Sequence, residues 1–198
     1  MSRAWSIALL GVLVAAPLAA QSRRGLAEVE TQSQRHGFWM QFGAGGGMEQ
    51  LNLENDGLGY SDELWAPTFN FRVGGTVGEN ARLGADFNAW VRADGDFTEV
   101  VSSVMPVLQL YPAKQAGIHI RGGGGFAWSS VYDDIFNTRS TINGFGTVAG
   151  VGWELPLSRK VFLTPYADWY QYWFDSREVG DFTERVIVVG VGITFQSH

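Results

Sequence analysis

The chain has 198 residues, no cysteine, 26 glycines, 14% aromatic residues and only 17% charged ones, with a formal net charge of −6. Without cysteine there is neither a disulfide framework nor the lipid-modified cysteine of a lipoprotein, so an exported chain of this kind must draw its stability from its sheet. The negative charge argues against nucleic acid as a partner, and the charged fraction falls below the roughly 25% usual in soluble domains.

Arg3 is followed by Ala4 to Ala16, apolar except for Ser6, and then by Pro17-Leu18-Ala19-Ala20. This is the layout of a secretory signal peptide cut before Gln21. The apolar run is shorter than the roughly 20 residues needed to cross a bilayer as a helix, so residues 1–20 are read as a removable export signal. Residues 21–35 are polar without a clear period and read as a periplasmic tail, with a short helix over 26–32 allowed.

From residue 36 onward, segments of alternating character recur to the end of the chain, the signature of a strand with two different faces. The first, 37–48, sets Phe38, Met40, Phe42 and Ala44 against Trp39, Gln41, Gly43 and Gly45. The second, 66–78, sets Phe69, Phe71, Val73 and Val77 against Asn70, Arg72, Gly74 and Thr76, and the third, 82–92, sets Leu83, Phe87 and Val91 against Gly84, Asp86, Asn88, Trp90 and Arg92. The fourth, 97–111, has Val100, Val104, Leu108 and Leu110 as its apolar face and contains Pro106, which removes a ladder donor and is expected at an edge or bulge.

The fifth, 117–129, opposes Ile118, Ile120, Phe126 and Trp128 to His119, Arg121, Gly123 and Gly125; the sixth, 142–155, opposes Phe145, Ala149, Val151 and Trp153 to Gly144, Gly150, Gly152 and Glu154. The seventh, 160–173, opposes Val161, Leu163, Ala167 and Trp169 to Thr164, Tyr166, Asp168 and Tyr170. The last, 185–195, carries Ile187, Val189, Val191, Ile193 and Phe195 on one unbroken apolar face. Eight strands is an even number, as a single-chain bacterial barrel requires.

Long polar connections over 49–64, 132–140 and 175–184 alternate with tight turns at 78–81 and 156–159, the asymmetry of long outer loops and short periplasmic turns. The long connections are expected to be acidic: Glu49, Glu54, Asp56, Asp62 and Glu63 in the first, Asp133 and Asp134 in the next, Asp175, Glu178, Asp181 and Glu184 in the last. None has the regular ligand spacing of a calcium loop, and no metal or cofactor is expected.

Three features together resemble the small eight-stranded outer-membrane barrels of the OmpA, OmpX and OmpW kind, over residues 36–195. They are the terminal strand with Gly190, Ile193 and Phe195, which resembles the C-terminal barrel signal, the Arg82-Leu-Gly-Ala-Asp-Phe87 segment after a tight turn, and Leu110-Tyr-Pro112 leading to Gly117-Ile-His-Ile-Arg-Gly-Gly-Gly-Gly-Phe126. The resemblance implies an all-β, antiparallel, up-and-down transmembrane barrel in the outer membrane. Its partners would be lipid and lipopolysaccharide, with the barrel-assembly machinery during biogenesis, and it would act as a monomer.

The faces agree with this orientation. A soluble barrel with charges inside would have to show Phe38, Phe69, Phe71, Phe87, Trp128 and Trp169 to water, far beyond the few hundred Å² that soluble monomers tolerate. Aromatic girdles are therefore expected at the two membrane interfaces, from Phe38, Trp153 and Phe195 at the inner one and Phe69, Trp128, Phe145 and Trp169 at the outer one. The interior of an eight-stranded barrel is only just wide enough for side chains to fill, which accounts for glycine beside Trp39, Trp90, Tyr166 and Tyr170.

Interior charges are mixed in sign: Arg72, Arg92 and Arg121, with His119, against Asp86, Glu99, Glu154 and Asp168. Pairing between neighbouring strands predicts Arg72 with Asp86, and His119 or Arg121 with Glu154. The family's enzymes use a His with a Ser and an acidic residue near the outer surface, whereas the three histidines here, His36, His119 and His198, lie near the periplasmic ends of strands or in the tail. No catalytic site is expected. Two functions follow: a structural or surface-interacting barrel with a plugged polar lumen, or, as the OmpW likeness allows, a narrow transporter of small apolar molecules.

Overall fold

The computed structural model describes residues 36–53, 60–113, 117–133, 135–136, 138–175 and 180–197. The expected export signal and tail, residues Glu54, Asp56, Asp134 and Glu178 of the expected acidic loops, and His198 lie outside the described residues. Nine strand segments follow one another: β1 Phe38–Leu53, β2 Leu64–Gly78, β3 Ala81–Asp94, β4 Phe97–Leu110, β5 Ile118–Asp133, β6 Thr138–Trp153, β7 Leu155–Pro156, β8 Val161–Phe174 and β9 Phe182–Gln196.

Every pairing is antiparallel, each strand binds its neighbour in sequence except that β6 and β7 both bind β8, and β9 returns to β1, so the sheet closes on itself. The two-residue β7 continues the course of β6 along the same partner β8. The wall is thus eight strands thick in circumference. The break between β6 and β7 has a chemical cause: the β6–β8 ladder stops at Gly152 opposite Tyr166 and resumes at Leu155 opposite Leu163, and between them β8 carries Pro165, which has no N–H to give. Pro106 acts likewise inside β4. That strand is paired on both sides, not at an edge as its proline suggests, and the ladder to β5 is interrupted between Val104 and Val107.

Stepping from partner to partner round the wall, Phe38 leads through Gly75, Leu83, Leu108, Gly122, Ala149, Trp169 and Ile187 back to Met48, a stagger of ten residues on β1. A stagger of this kind requires the strands to tilt against the barrel axis. Both described ends of the chain leave from one end of the barrel, where the Ser197 hydroxyl lies 3.0 Å from the Phe38 nitrogen and the Ser197 amide donates to the Phe38 carbonyl at 2.8 Å. This is the terminal end below; the other is the far end.

Alternation along each strand sorts the side chains as expected. Phe42, Phe69, Phe126, Phe145 and Val189 point outward and are half exposed or more, whereas Trp39, Arg72, Trp90, His119 and Tyr170 point inward and are buried. Several strands run further toward the far end than their alternation suggested. β1 continues to Leu53, β6 begins at Thr138 and β9 at Phe182. Glu49 and Glu184, expected in solvated loops, are therefore wall residues facing inward and buried. The physical reason is period two: each is an even number of positions from an interior residue of its own strand, Glu49 from Gly47 and Glu184 from Val186, and a strand that continues must carry it to the same face.

Small residues make the closure possible. A Cβ on Gly45 would stand 2.3 Å from the Val189 carbonyl oxygen of the next strand, a contact with backbone that nothing can relieve. The adjacent Gly46 faces outward with open space around it. Gly45→Val is accordingly expected to abolish the compact, heat-modifiable band that a folded barrel gives in cold electrophoresis, while Gly46→Val retains it.

Candidate functional site: the barrel interior

The interior divides into two zones along the axis. Nearest the terminal end is an ionic one. Arg72 on β2 reaches Asp86 on the adjacent β3, with Nε 3.2 Å from Oδ1, and also Asp168 on β8, with Nη2 2.6 Å from Oδ2. Arg121 on β5 binds the other oxygen of the same Asp168. One carboxylate thus joins two guanidinium groups from strands on different sides of the wall, and all four side chains are buried.

Tyr166 lies under both arginines, 4.7 Å from the Arg72 guanidinium carbon and 5.6 Å from that of Arg121, and the Tyr170 hydroxyl donates to Asp86 at 3.1 Å. The cations are held by carboxylates at their edges and by an aromatic face, the arrangement a desolvated guanidinium favours.

A second ionic group closes the terminal end. Arg82 on β3 donates to Glu154 at 2.5 Å and to Gln196 at 2.7 Å, and its guanidinium lies over Trp39 and Tyr111. Tyr111 donates to the same Glu154 at 2.8 Å. This corrects the expected pairing of Glu154. Its partner is Arg82, Arg121 goes to Asp168 instead, and His119 forms no ion pair among the described residues; its ring lies tilted against that of Tyr111, 5.3 Å between centres.

The reason lies in the geometry of a narrow, tilted barrel, in which side chains cross the lumen and meet at equal height rather than on neighbouring strands. Arg82 carried a readable signal, for it stands two positions before Gly84 and four before Asp86 on the inward face. What stood against reading it was its position beside a turn. Residues past the terminal aromatic also take part: Gln196 sits on the inner face, hydrogen-bonded to Arg82.

Toward the far end the interior turns apolar. Trp90, Val101, Met105, Tyr172, Val186 and Val188 form a buried cluster, with Phe174 and Phe182 stacked above it at 5.1 Å between ring centres. Trp90 donates its indole N–H to the Gly47 carbonyl at 3.0 Å, so the largest ring is also hydrogen-bonded. Above the cluster Arg92 meets Asp94 at 2.5 Å and Glu99 at 3.5 Å, in part-exposed positions.

On the outside, Phe38, Trp153 and Phe195 surround the terminal end as outward-facing rings. At the far end Trp128 and Phe145 face outward, and Phe145 stacks on Trp173 of β8, 6.2 Å between centres. Phe69 and Trp169 face outward nearer the middle of their strands, whereas Trp65 and Trp173, not singled out from the sequence, stand one residue from the far ends of β2 and β8. In the terminal strand Ile193 and Phe195 face outward, and Gly190 leaves room for the Tyr166 hydroxyl, which would be 2.4 Å from a Cβ there.

An antiparallel barrel with hydrocarbon outside and paired charge within is inverted relative to a soluble protein and defines the class of transmembrane β-barrels. Residues 6–195 match the model of the outer membrane protein beta-barrel domain, and the chain belongs to that family. It is an outer-membrane protein in contact with lipid.

Among solved structures it is similar to Neisserial surface protein A (NspA), at 15% identity over 81% of this chain and 97% of that one, with a TM-score of 0.54. It is also similar to Ail, the attachment invasion locus protein of Yersinia pestis (12% identity, 81% and 99% covered, TM-score 0.49), and to OprG of Pseudomonas aeruginosa (10% identity, 84% and 99% covered, TM-score 0.47). At these identities the likeness is one of fold. No curated protein matches the chain.

The buried pairs should differ sharply from the exposed one in their effect on stability. Asp168→Ala leaves buried Arg121 without a carboxylate and Arg72 with Asp86 alone, and is expected to cost about 3–5 kcal/mol, read as a lower urea midpoint of the micelle-bound barrel. Asp94→Ala, at a part-exposed pair, should cost about 0–1 kcal/mol.

Proposed function

We propose that the protein is a structural or surface-interacting barrel with a closed lumen, displaying its far end to the outside of the cell and keeping its termini in the periplasm. The observation that carries the reading is the filling of the shaft. Arg72, Arg121 and Asp168 bridge it near the terminal end, and Trp90, Met105 and Tyr172 occupy it above, all buried. An eight-stranded interior holds side chains and little else, whereas freely conducting porins have about sixteen strands.

Catalysis finds no support among the described residues. His36 is exposed beside the termini and His119 is buried against Tyr111, so neither combines access with a nucleophile and an orienting acid. No group of three acidic or histidine side chains there can hold a metal ion. Lipid and lipopolysaccharide would meet the outer rings, the barrel-assembly machinery would receive the terminal strand with Gly190, Ile193 and Phe195, and the barrel would stand as a monomer because closure leaves no sheet edge within the wall.

The second reading, passage of small apolar molecules, draws on a dent in the outer wall. It has a volume of about 510 Å³ and is lined by Phe42, Phe69, Phe71, Phe87 and Trp128 round Ala89 and Ser102. Its rings belong to the outer face, and the inward-facing Asn70, Asn88 and Ser103 that also border it are buried, which favours the structural reading.

Two measurements test the proposal. Purified barrel in a planar bilayer is expected to give rare or no conductance steps, and stable, voltage-independent openings would promote the transport reading. Chymotrypsin added to intact cells is expected to cut after Phe136, exposed in the far-end turn, and to spare Leu157, exposed at the terminal end. Cleavage at Leu157 instead would invert the topology.

A further inference from the structure

The arginines directed into the bore or its mouth, Arg72, Arg82, Arg92 and Arg121, each meet a carboxylate. Arg185 does not follow them. It stands two positions before Ile187 and four before Val189 on β9, on the face that these residues turn to the membrane, and it is part-exposed. Among the described residues no carboxylate lies within ion-pair distance of it. Neutral groups hold its guanidinium instead. Nε donates to Oε1 of Gln50, directly opposite on β1, at 2.8 Å, Nη2 donates to the same oxygen, and the Tyr60 ring centre lies 4.0 Å from the guanidinium carbon. Two of the five N–H donors are engaged there, and three are left for an anion.

The position of this cation is that of a lipid headgroup. On β1 the residue two before Gln50, Met48, is opposite Trp65, and on β8 Trp173 is opposite Thr183, two positions beyond Arg185 toward the far end. Arg185 is thus flanked by the two tryptophans that stand at the far end of the outer face. Toward the membrane centre the same face opens into a dent of about 480 Å³, whose outward-facing lining is Ile120, Ala149, Val151, Ala167, Trp169 and Ile187. Ala149 is opposite Trp169 and Ala167 opposite Val151, so each alanine leaves a gap beside a larger neighbour. Ile187 belongs both to the dent and to the strand of the cation, and at a rise of about 3.3 Å per residue its Cα is about 7 Å from that of Arg185.

A fixed guanidinium above an apolar furrow matches a molecule with a phosphate at one end and hydrocarbon below it. Guanidinium N–H groups bind phosphate oxygens in pairs and more strongly than neutral donors do, so one lipid would be held in register where an acyl chain alone would slide past. We propose that the outer face of β6, β8 and β9 is a binding site for one molecule of lipopolysaccharide, with a lipid phosphate on Arg185 and an acyl chain in the dent. Gln50 and Tyr60 position the guanidinium. The choice of lipid rests on the orientation proposed above, which turns the far end toward the outer leaflet.

Purified lipid A, the phosphorylated and acylated part of that lipid, is the probe, titrated into the refolded barrel in micelles and counted by native mass spectrometry. One lipid per barrel is expected at saturation. Removal of its phosphates, or Arg185→Gln, is expected to weaken binding at least tenfold, and Ala149→Phe, which fills the dent from outside, at least threefold. Arg139→Gln, which removes an exposed arginine from the far end of β6, should leave affinity within twofold. Phosphatidylglycerol at equal concentration should not displace the lipid. Both site variants lie on the outer face and should keep the heat-modifiable band; if either fails to fold, the dephosphorylated lipid on the unaltered barrel decides. Equal retention of dephosphorylated lipid, unchanged binding in a folded site variant, equal weakening by Arg139→Gln, or displacement by phosphatidylglycerol would each overturn the assignment. Binding in micelles is the same whichever way the barrel sits in a membrane, so the protease cleavage tests the orientation and this titration tests the site.

Discussion

The interaction on which everything else depends is the hydrogen bond between β9 and β1. In hydrocarbon an unpaired backbone N–H or C=O costs several kcal/mol, so a sheet can cross a membrane only if it has no edge. The fifteen partnered positions from Trp39 opposite Gln196 to Leu53 opposite Phe182 remove that edge. Closing with eight strands and a stagger of ten then determines the tilt and the width of the shaft, and the width determines which side chains fit. Prolines 106 and 165 show how far the wall tolerates local loss: each removes one donor, and the ladder resumes beyond it.

A narrow shaft imposes conditions on what fills it. Charges placed inside have little water to share and must satisfy one another, and the terminal half does so by letting Asp168 serve two arginines and Glu154 serve Arg82 together with Tyr111. Aromatic faces carry the rest of the load on the cations. The far half meets the same condition with hydrocarbon and stacked rings, which need no partners. Glycine at the inner face is what lets tryptophan and tyrosine lie in so small a bore, and at Gly45 and Gly190 the space is taken by a neighbouring strand and by a tyrosine hydroxyl.

The two zones give the molecule a polarity that its outer surface lacks. Outside, rings ring both ends of the wall; inside, paired charge gives way to an apolar cluster and then to the part-exposed Arg92 with Asp94 and Glu99 at the mouth. Charge is thus buried and paired near the terminal end and part-exposed at the far rim, where the strands end.

The alternation of residues was enough to define the eight strands, their faces and the membrane setting, because period two is a local property: Phe38, Met40 and Phe42 point one way whatever the rest of the chain does. The same logic, applied two residues further, would have turned Glu49 and Glu184 inward, but a run of acids reads as loop until closure makes the strand continue. Partners across the bore could not be read at all. Arg72 and Asp86 are neighbours in the ladder and were legible; Arg82 with Glu154, and Arg121 with Asp168, come from strands far apart in sequence. Which of them meet depends on tilt and stagger, quantities that belong to the closed sheet and to no single segment of it. Local pattern decided which residues face the interior, and only closure decided whom they face there.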